Sequence, residues 1–141
     1  MIILDTNLVS EPMKPRADPR VLEWLDRQNG EAFYLTSVSL GQLLLGVEKM
    51  PMGQQRAHLG AKLDAFLSSL FGPRILSFDR EAAKAYATLM ARARAAGRAI
   101  ATGDGQIAAI ATVHGFAVAT RDVAPFVAAG VEVINPWEFN A

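Results

Sequence analysis

The sequence GDGQIAAIATVHGFAVATRD, residues 103–122, combines the pattern of a helix with that of the strand that follows it. Its first part predicts a helix with Asp104 at its start and Gly115 at its end, because glycine commonly follows the last helical residue. The segment FAVAT at 116–120 then predicts a short strand. Its apolar residues are continuous rather than alternating, which is typical of strands that are buried on both faces of a parallel sheet.

The rest of the chain repeats this alternation of short apolar strands and longer helices. Further strands are predicted at 2–4, 32–36, 74–78 and 131–135. Further helices are predicted from about Pro19 to Gln28, around Gln42 with Thr36, Ser37 or Ser39 as the N-cap, from Gln54 to Leu70, and after Asp79 to about Ala96. A turn at 5–7 should end the first strand. The pattern predicts the α/β class: one domain over 1–141, built as a three-layer α/β/α sandwich with a mostly parallel sheet.

Composition narrows the class of protein. Half of the 141 residues are apolar and a fifth are charged, which is typical of a folded globular chain. The charges of the 14 basic and 14 acidic side chains sum to zero. Any role in binding a nucleic acid therefore needs a local basic patch. The absence of cysteine excludes disulfides and thiolate metal sites. We find neither a signal-peptide pattern nor a membrane-length apolar run, and we therefore expect a soluble, cytoplasmic protein with no membrane partner.

Three acidic residues are predicted to meet at one edge of the sheet. Asp5 follows the first strand, Asp122 follows FAVATR, and Asp104 begins a helix that should open onto the same edge. Ligands bind at the carboxyl ends of parallel strands. A metal site made of carboxylates, with no cysteine and no clustered histidine, favours Mg²⁺ or Mn²⁺. Such a cation can activate a water molecule that attacks a phosphodiester bond. The three residues therefore form a candidate site for hydrolysis of a nucleic acid, although Asp5 alone can form an Asx turn and Asp104 or Asp122 alone can cap a helix.

Four segments resemble one known family: MIILDTNLVSEP, TSVSLGQLLLGVE, GDGQIAAIATVHGFAVATRD and VINPWEF. In this order and at these spacings they resemble the PIN-domain ribonuclease toxins of the VapC type, most closely the FitB-like branch, over essentially the whole chain. The resemblance implies a PIN-domain fold and a metal-dependent endoribonuclease toxin that a cognate antitoxin neutralises. It also implies a homodimer that contacts DNA only through the antitoxin.

The acidic site of this family carries over to Asp5, Asp104 and Asp122, which the resemblance makes catalytic residues and ligands of Mg²⁺ or Mn²⁺. The supporting residues that it implies are Thr6, Asn7 and Thr120.

Gln42 departs from the family pattern. It falls in SLGQL, where the family has a glutamate in T-x-A-E-L. Glutamine keeps the size and an amide oxygen but brings no negative charge. Because charge count is a main determinant of divalent-cation affinity, we expect weaker metal binding and reduced or abolished activity. A natural and an engineered origin are both compatible with this change, and so is a surface residue of no consequence.

Four arginines are candidate RNA phosphate contacts: Arg92, Arg94, Arg98 and Arg121. For Arg92 and Arg94, a position near a helix C-terminus is an equally good explanation. The main rival to a nuclease is a catalytically silent PIN scaffold that dimerises and binds an antitoxin in a regulatory DNA-binding complex. A haloacid-dehalogenase-type phosphatase needs a second aspartate where this chain has Asn7, and a phosphorelay receiver needs a late lysine, whereas none follows Lys84.

Overall fold

A five-stranded parallel sheet forms the centre of the molecule in the computed structural model, which describes residues 1–140. The strands are β1 (Ile2–Leu4), β2 (Phe33–Thr36), β3 (Ile75–Leu76), β4 (Ala117–Ala119) and β5 (Val133–Ile134). Their order across the sheet is β3-β2-β1-β4-β5. The chain therefore adds β2 and β3 on one side of β1, and then returns to add β4 and β5 on the other side of β1.

Seven helices surround the sheet in the described part of the chain. They are α1 (Thr6–Ser10), α2 (Pro19–Arg27), α3 (Ser37–Glu48), α4 (Gln54–Leu70), α5 (Arg80–Ala95), α6 (Thr102–His114) and α7 (Val123–Ala128). Short 3-10 turns lie at Glu11–Met13, Gly30–Ala32 and Pro136–Glu138.

The sheet separates two apolar cores. One contains buried side chains of α1 to α4, and the other contains buried side chains of α5, α6 and α7. Neighbouring strand residues point into opposite cores: Ile3 and Val118 into the α5–α7 side, Leu4 and Ala119 into the other. This arrangement confirms the predicted α/β/α sandwich and explains why the strands are continuously apolar.

The predicted turn at 5–7 was wrong, because the chain enters α1 directly after β1. Asp5 is the N-cap of this helix, and its carboxylate accepts a hydrogen bond from the Thr6 backbone N–H. Residues that favour turns are also those that favour helix N-caps, since both use the same short side-chain-to-backbone hydrogen bond. The five-residue helix offers too few positions for a sequence period to reveal it.

Several strands and helices have boundaries that differ from the predicted ones. The predicted strands at 74–78 and 131–135 each contain only two paired residues, since they lie at the two edges of the sheet and pair on one side only. Helix α6 begins before Asp104, which is its third residue, and Ala101 occupies the N-cap position. The interpretation of Asp104 as an N-cap was therefore wrong.

Among the three N-cap candidates for α3, the structure selects Thr36. Its hydroxyl accepts a hydrogen bond from the Ser39 backbone N–H at 3.0 Å. Ser37 instead accepts a hydrogen bond from the backbone N–H of Phe78. Within residues 1–140, no helix is both long enough and apolar enough to span a membrane.

Asp79 caps α5 as predicted, and this cap provides a test of the local structure. Its Oδ1 accepts a hydrogen bond from the Ala82 backbone N–H at 3.0 Å. We expect Asp79→Ala to lower the free energy of unfolding by about 1 kcal/mol, because it leaves a helix N–H without its partner. Asp79→Asn should keep most of the stability, since asparagine caps equally well.

Urea denaturation followed by circular dichroism measures both variants, with the exposed Glu81→Ala as the control in the same helical turn. Equal losses for the alanine and asparagine variants at position 79 would contradict the capping role.

Candidate active site

The site lies where β1 and β4 end side by side. Leu4 is in register with Ala119, so the residues that follow the two strands are neighbours. Asp5 is 6% exposed, and its Oδ2 accepts a hydrogen bond of 2.8 Å from the Thr120 hydroxyl. Its Oδ1 accepts one of 2.8 Å from the backbone N–H of Thr6. Two fixed donors therefore hold both carboxylate oxygens of Asp5.

The Thr120 hydroxyl, which is fully buried, joins two further parts of the site. It accepts a hydrogen bond of 3.3 Å from the Asn7 side-chain amide and one of 3.0 Å from the Asp122 backbone N–H. Asn7 also accepts a hydrogen bond of 3.4 Å from the Arg121 backbone N–H. Asn7 and Thr120 thus connect α1 to the segment after β4, and this network fixes the backbone of Asp122 relative to Asp5.

Asp104 reaches the same edge from the other direction. Helix α6 leads into β4, so it runs antiparallel to the strands and its first turn lies at their carboxyl ends. Burial, together with the nearby charges of Asp5 and Asp122, raises the pKa of Asp104. Burial also raises the pKa of Asp5, and repulsion by Asp122 adds to this, whereas hydrogen bonds from Thr120 and Thr6 oppose it. The three carboxylates are therefore close enough to repel one another.

Gln42 is exposed but lies beside this cluster. Its Oε1 accepts a hydrogen bond of 2.6 Å from the Thr6 hydroxyl. Its Nε2 lies 2.9 Å from the point where a Cβ at Gly103 would stand. Glycine at position 103 therefore leaves room for the amide between α1 and the first turn of α6, and Gln42 contacts both segments that carry the neighbouring aspartates.

The donor chemistry of the site fits a hard divalent cation. Its oxygen ligands are carboxylates whose mutual repulsion a cation would relieve. Across residues 1–140, no group of three or more His, Cys, Asp or Glu side chains is arranged so that it could hold a metal ion. Mg²⁺ does not require such a group, since it is usually held by one or two carboxylates and keeps several of its waters.

Ser39 is a buried polar residue of α3 that the sequence suggested only as a possible cap. Its hydroxyl is fully buried, and among the described residues its Oγ has no hydrogen-bond partner. Ser39 lies three residues before Gln42 in α3 and so shares a face of the helix with it. That spacing is the signal by which the sequence could have associated Ser39 with the site.

The four predicted RNA-binding arginines separate in the structure. Arg98 lines a groove of about 700 Å³ that also contains Asp104, and Arg94 lines an adjoining groove with Arg98. Arg92 instead lines a groove with Thr112, near the end of α6 that is remote from Asp104. Arg121 is exposed next to Asp122. The structure therefore brings Arg98 and Arg121 to the carboxylate cluster and leaves Arg92 away from it.

The family model of the PIN domain matches residues 2–130. The chain belongs to the PIN-domain family. This finding confirms the resemblance of its motifs. Asp5, Asp104 and Asp122, to which the resemblance carries the acidic site of the family, lie at the sheet edge described above.

Individual PIN-domain relatives match nearly end to end. The chain is 49% identical to the plasmid stability protein StbB of Pseudomonas syringae pv. tomato, over 98% of this chain and 99% of the relative. It is 45% identical to the VapC ribonuclease Y4jK of Sinorhizobium fredii, over 98% and 99% of the two chains. It is 43% identical to the toxin FitB of Neisseria gonorrhoeae, over 97% and 99%. A solved structure of FitAB bound to an IR36 DNA fragment aligns with a TM-score of 0.94 and 40% identity, over 100% of this chain and 99% of that one.

The repulsion within the cluster predicts how stability depends on pH. A carboxyl group with a raised folded-state pKa holds its proton more tightly in the folded than in the unfolded protein. Asp5 and Asp104 therefore favour the folded state at acidic pH, and this contribution is lost as pH rises through their raised pKa values. At neutral pH in metal-free buffer, we expect the Asp104→Asn variant to unfold at a higher urea concentration than the parent. This difference should become smaller when the pH is lowered below the ordinary pKa of aspartate.

Urea titrations from acidic to neutral pH measure this difference. Asp64→Asn, on an exposed position of α4, makes the same chemical change outside the cluster and is the matched control. An Asp104→Asn variant that is less stable than the parent at neutral pH would contradict the predicted repulsion.

Proposed function

We propose that the protein is a metal-dependent endoribonuclease and the toxin of a type II toxin–antitoxin pair. The observation that carries this proposal is the convergence of Asp5, Asp104 and Asp122 at the carboxyl edge of a PIN-domain sheet. The relatives named VapC ribonuclease and toxin FitB support the ribonuclease and toxin parts. The substrate is RNA, and the bond hydrolysed is a phosphodiester.

In this proposal Asp5, Asp104 and Asp122 hold Mg²⁺ or Mn²⁺. The bound cation would supply an activated water and stabilise the negative charge that develops on the phosphate oxygens. Thr120 keeps Asp5 oriented by its hydrogen bond to Oδ2, and Thr6 keeps the other carboxylate oxygen in place through its backbone N–H. The proposed role of Asn7 is to hold the segment after β4, since it bonds both the Thr120 hydroxyl and the Arg121 backbone.

Gln42 lowers the proposed activity without removing the site. Its amide oxygen is already bonded to the Thr6 hydroxyl, and its side chain brings no charge to offset that of a cation. A glutamate at this position would add a fourth carboxylate to the cluster. We therefore propose that this form binds metal more weakly than a form with glutamate at position 42.

The partners proposed for this chain are a cognate antitoxin and a second copy of itself. The solved complex of FitAB with DNA supports a DNA-bound assembly, in which we propose that the antitoxin makes the DNA contacts. Leu44 and Leu45 are exposed on α3 and form a candidate protein-binding surface. We propose a cytoplasmic location, where an RNA substrate and an antitoxin are both available.

A second candidate function is a catalytically silent PIN scaffold that acts only by dimerising and binding its antitoxin. The observation that favours it is the neutral side chain of Gln42 where the family pattern has a carboxylate. The two candidates differ in whether this form cleaves RNA when a divalent cation is supplied.

RNA cleavage in Mn²⁺ tests the proposed function. We expect slow cleavage by the parent, faster cleavage by Gln42→Glu, and a loss of at least about a hundredfold in Asp5→Asn, because changes to residues that merely support metal ligands already cost 10–100-fold. Gln42→Glu should also bind Mn²⁺ on the order of tenfold more tightly, since an added carboxylate raises the ligand charge. Calorimetric titration with Mn²⁺ measures this affinity independently of activity.

Asp26→Asn, at an exposed position of α2, is the matched control for the removal of one carboxylate. If the parent and Gln42→Glu both fail to cleave RNA beyond the level of Asp5→Asn, the nuclease proposal is wrong. Cleavage by Gln42→Glu alone would assign the silent-scaffold function to this form.

A further inference from the structure

A groove of about 720 Å³ opens beside the carboxylate cluster, between the segment that precedes α2 and the segment that follows β4. Its walls carry four cationic side chains: Lys14, Arg16, Arg20 and Arg121. We call it the basic groove. We propose that the basic groove holds the sugar-phosphate backbone of single-stranded RNA on one side of the cleavage site. This inference rests on the proposed nuclease function and adds to it where the substrate lies.

The charge of the groove favours an anionic ligand. Lys14 pairs with Glu11 at 3.1 Å and Arg20 pairs with Asp18 at 2.9 Å. Within the described part of the chain, Arg16 and Arg121 form no such ion pair. The groove thus keeps a surplus of two positive charges in a chain whose overall formal charge is zero.

A buried carboxylate holds the wall of the groove in place. Glu11 is only 4% exposed and accepts hydrogen bonds of 3.1 Å from Lys14 Nζ and from the backbone N–H of Asp18. These bonds join the two ends of the segment 14–18, which carries Arg16 between them. Burial favours the neutral acid, but the hydrogen bonds from Asp18 and Lys14 outweigh it and hold the pKa of Glu11 below its ordinary value. The wall is therefore fixed by a charged group at neutral pH.

Two further contacts fix the cations that border the groove. Asp18 accepts hydrogen bonds from both Nε and Nη2 of Arg20, at 3.2 and 2.9 Å. The guanidinium carbon of Arg121 lies 5.5 Å from the ring centroid of the buried Trp137. A guanidinium that lies over an aromatic ring keeps its N–H edges free to bind phosphate oxygens.

The groove is connected to the carboxylate cluster through the chain, because Arg121 lines the groove and Asp122 follows it directly. Arg121 lies between Thr120, which bonds Asp5, and Asp122, and its backbone N–H donates to Asn7. An RNA strand whose phosphates lie in the groove would therefore pass next to the segment that carries Asp122. The groove at Arg98 is a poorer phosphate site, because one cation there faces mainly apolar side chains of α7.

RNA binding at several salt concentrations tests the groove without requiring cleavage. The probe is a short, fluorescently labelled single-stranded RNA, and every protein carries Asp5→Asn so that the RNA stays intact. We expect Arg16→Ala with Arg121→Ala to weaken binding on the order of tenfold at low salt. The slope of log affinity against log salt should become shallower by roughly 1.4, since each lost phosphate contact on a single strand contributes about 0.7.

Two matched variants separate charge from structure. Arg16→Lys with Arg121→Lys keeps both charges and should keep the salt slope. Lys62→Ala with Arg80→Ala removes two exposed charges from α4 and α5 and should leave RNA binding unchanged. Fluorescence anisotropy measures all these affinities, and an acidic peptide is titrated in parallel as the competing ligand.

The outcomes distinguish this inference from the proposed function. If the Arg16/Arg121 alanine pair binds RNA with the affinity and salt slope of the Lys62/Arg80 pair, the groove does not hold RNA. The inference also fails if these arginines control binding of the acidic peptide but not of RNA. Failure of the parent and of Gln42→Glu to cleave RNA overturns the nuclease proposal instead, and it leaves the binding result to decide the groove.

Discussion

The buried hydroxyl of Thr120 is the contact on which the site depends. It donates to Asp5 and accepts from Asn7 and from the backbone of Asp122, so one oxygen joins the residues after β1 and β4 and the first turn of α1. A buried hydroxyl must be hydrogen-bonded, because leaving it without partners costs free energy. The hydrogen bonds that satisfy the Thr120 hydroxyl therefore also fix the carboxylate of Asp5 relative to the backbone of Asp122.

The order of the strands explains why acidic residues collect at this point. Strand β1 lies between β2 and β4. The direction in which the chain adds strands therefore reverses at β1. Such a switch point opens a crevice at the carboxyl ends of the strands. Asp5 and Asp122 approach it from the strands, and Asp104 approaches it from the helix that leads into β4. Burial raises the pKa of Asp104, and repulsion by Asp5 and Asp122 adds to this. The repulsion opposes the packing that holds the three residues there, which is a typical cost of a site built to receive a cation.

Gln42 and the basic groove show two ways in which the surroundings of the cluster affect its proposed chemistry. Gln42 occupies the space beside Gly103 and bonds Thr6, so it keeps the shape of the site while leaving out a charge. The groove contributes charge without touching the carboxylates, through cations that Glu11 and Trp137 hold in place. Metal affinity and RNA affinity would therefore depend on different residues, which makes them separable by substitution.

Local sequence was sufficient to predict the features that depend on residues close together in the chain. The bounds of α4, the cap at Asp79 and the apolar character of the strands follow from local hydrogen bonding and side-chain period, and the structure agrees with them. The family motifs also identified Asp5, Asp104, Asp122 and Gln42 as residues that would share one site. Three other features required the folded structure: Asp5 begins a helix, Arg92 lies away from the carboxylate cluster, and Arg16 and Arg121 border one groove. Arg16 and Arg121 are more than a hundred positions apart in the chain. No local conformational preference can bring them together. Their proximity follows from the pairing of β1 with β4 and from the packing of the segments that follow these strands.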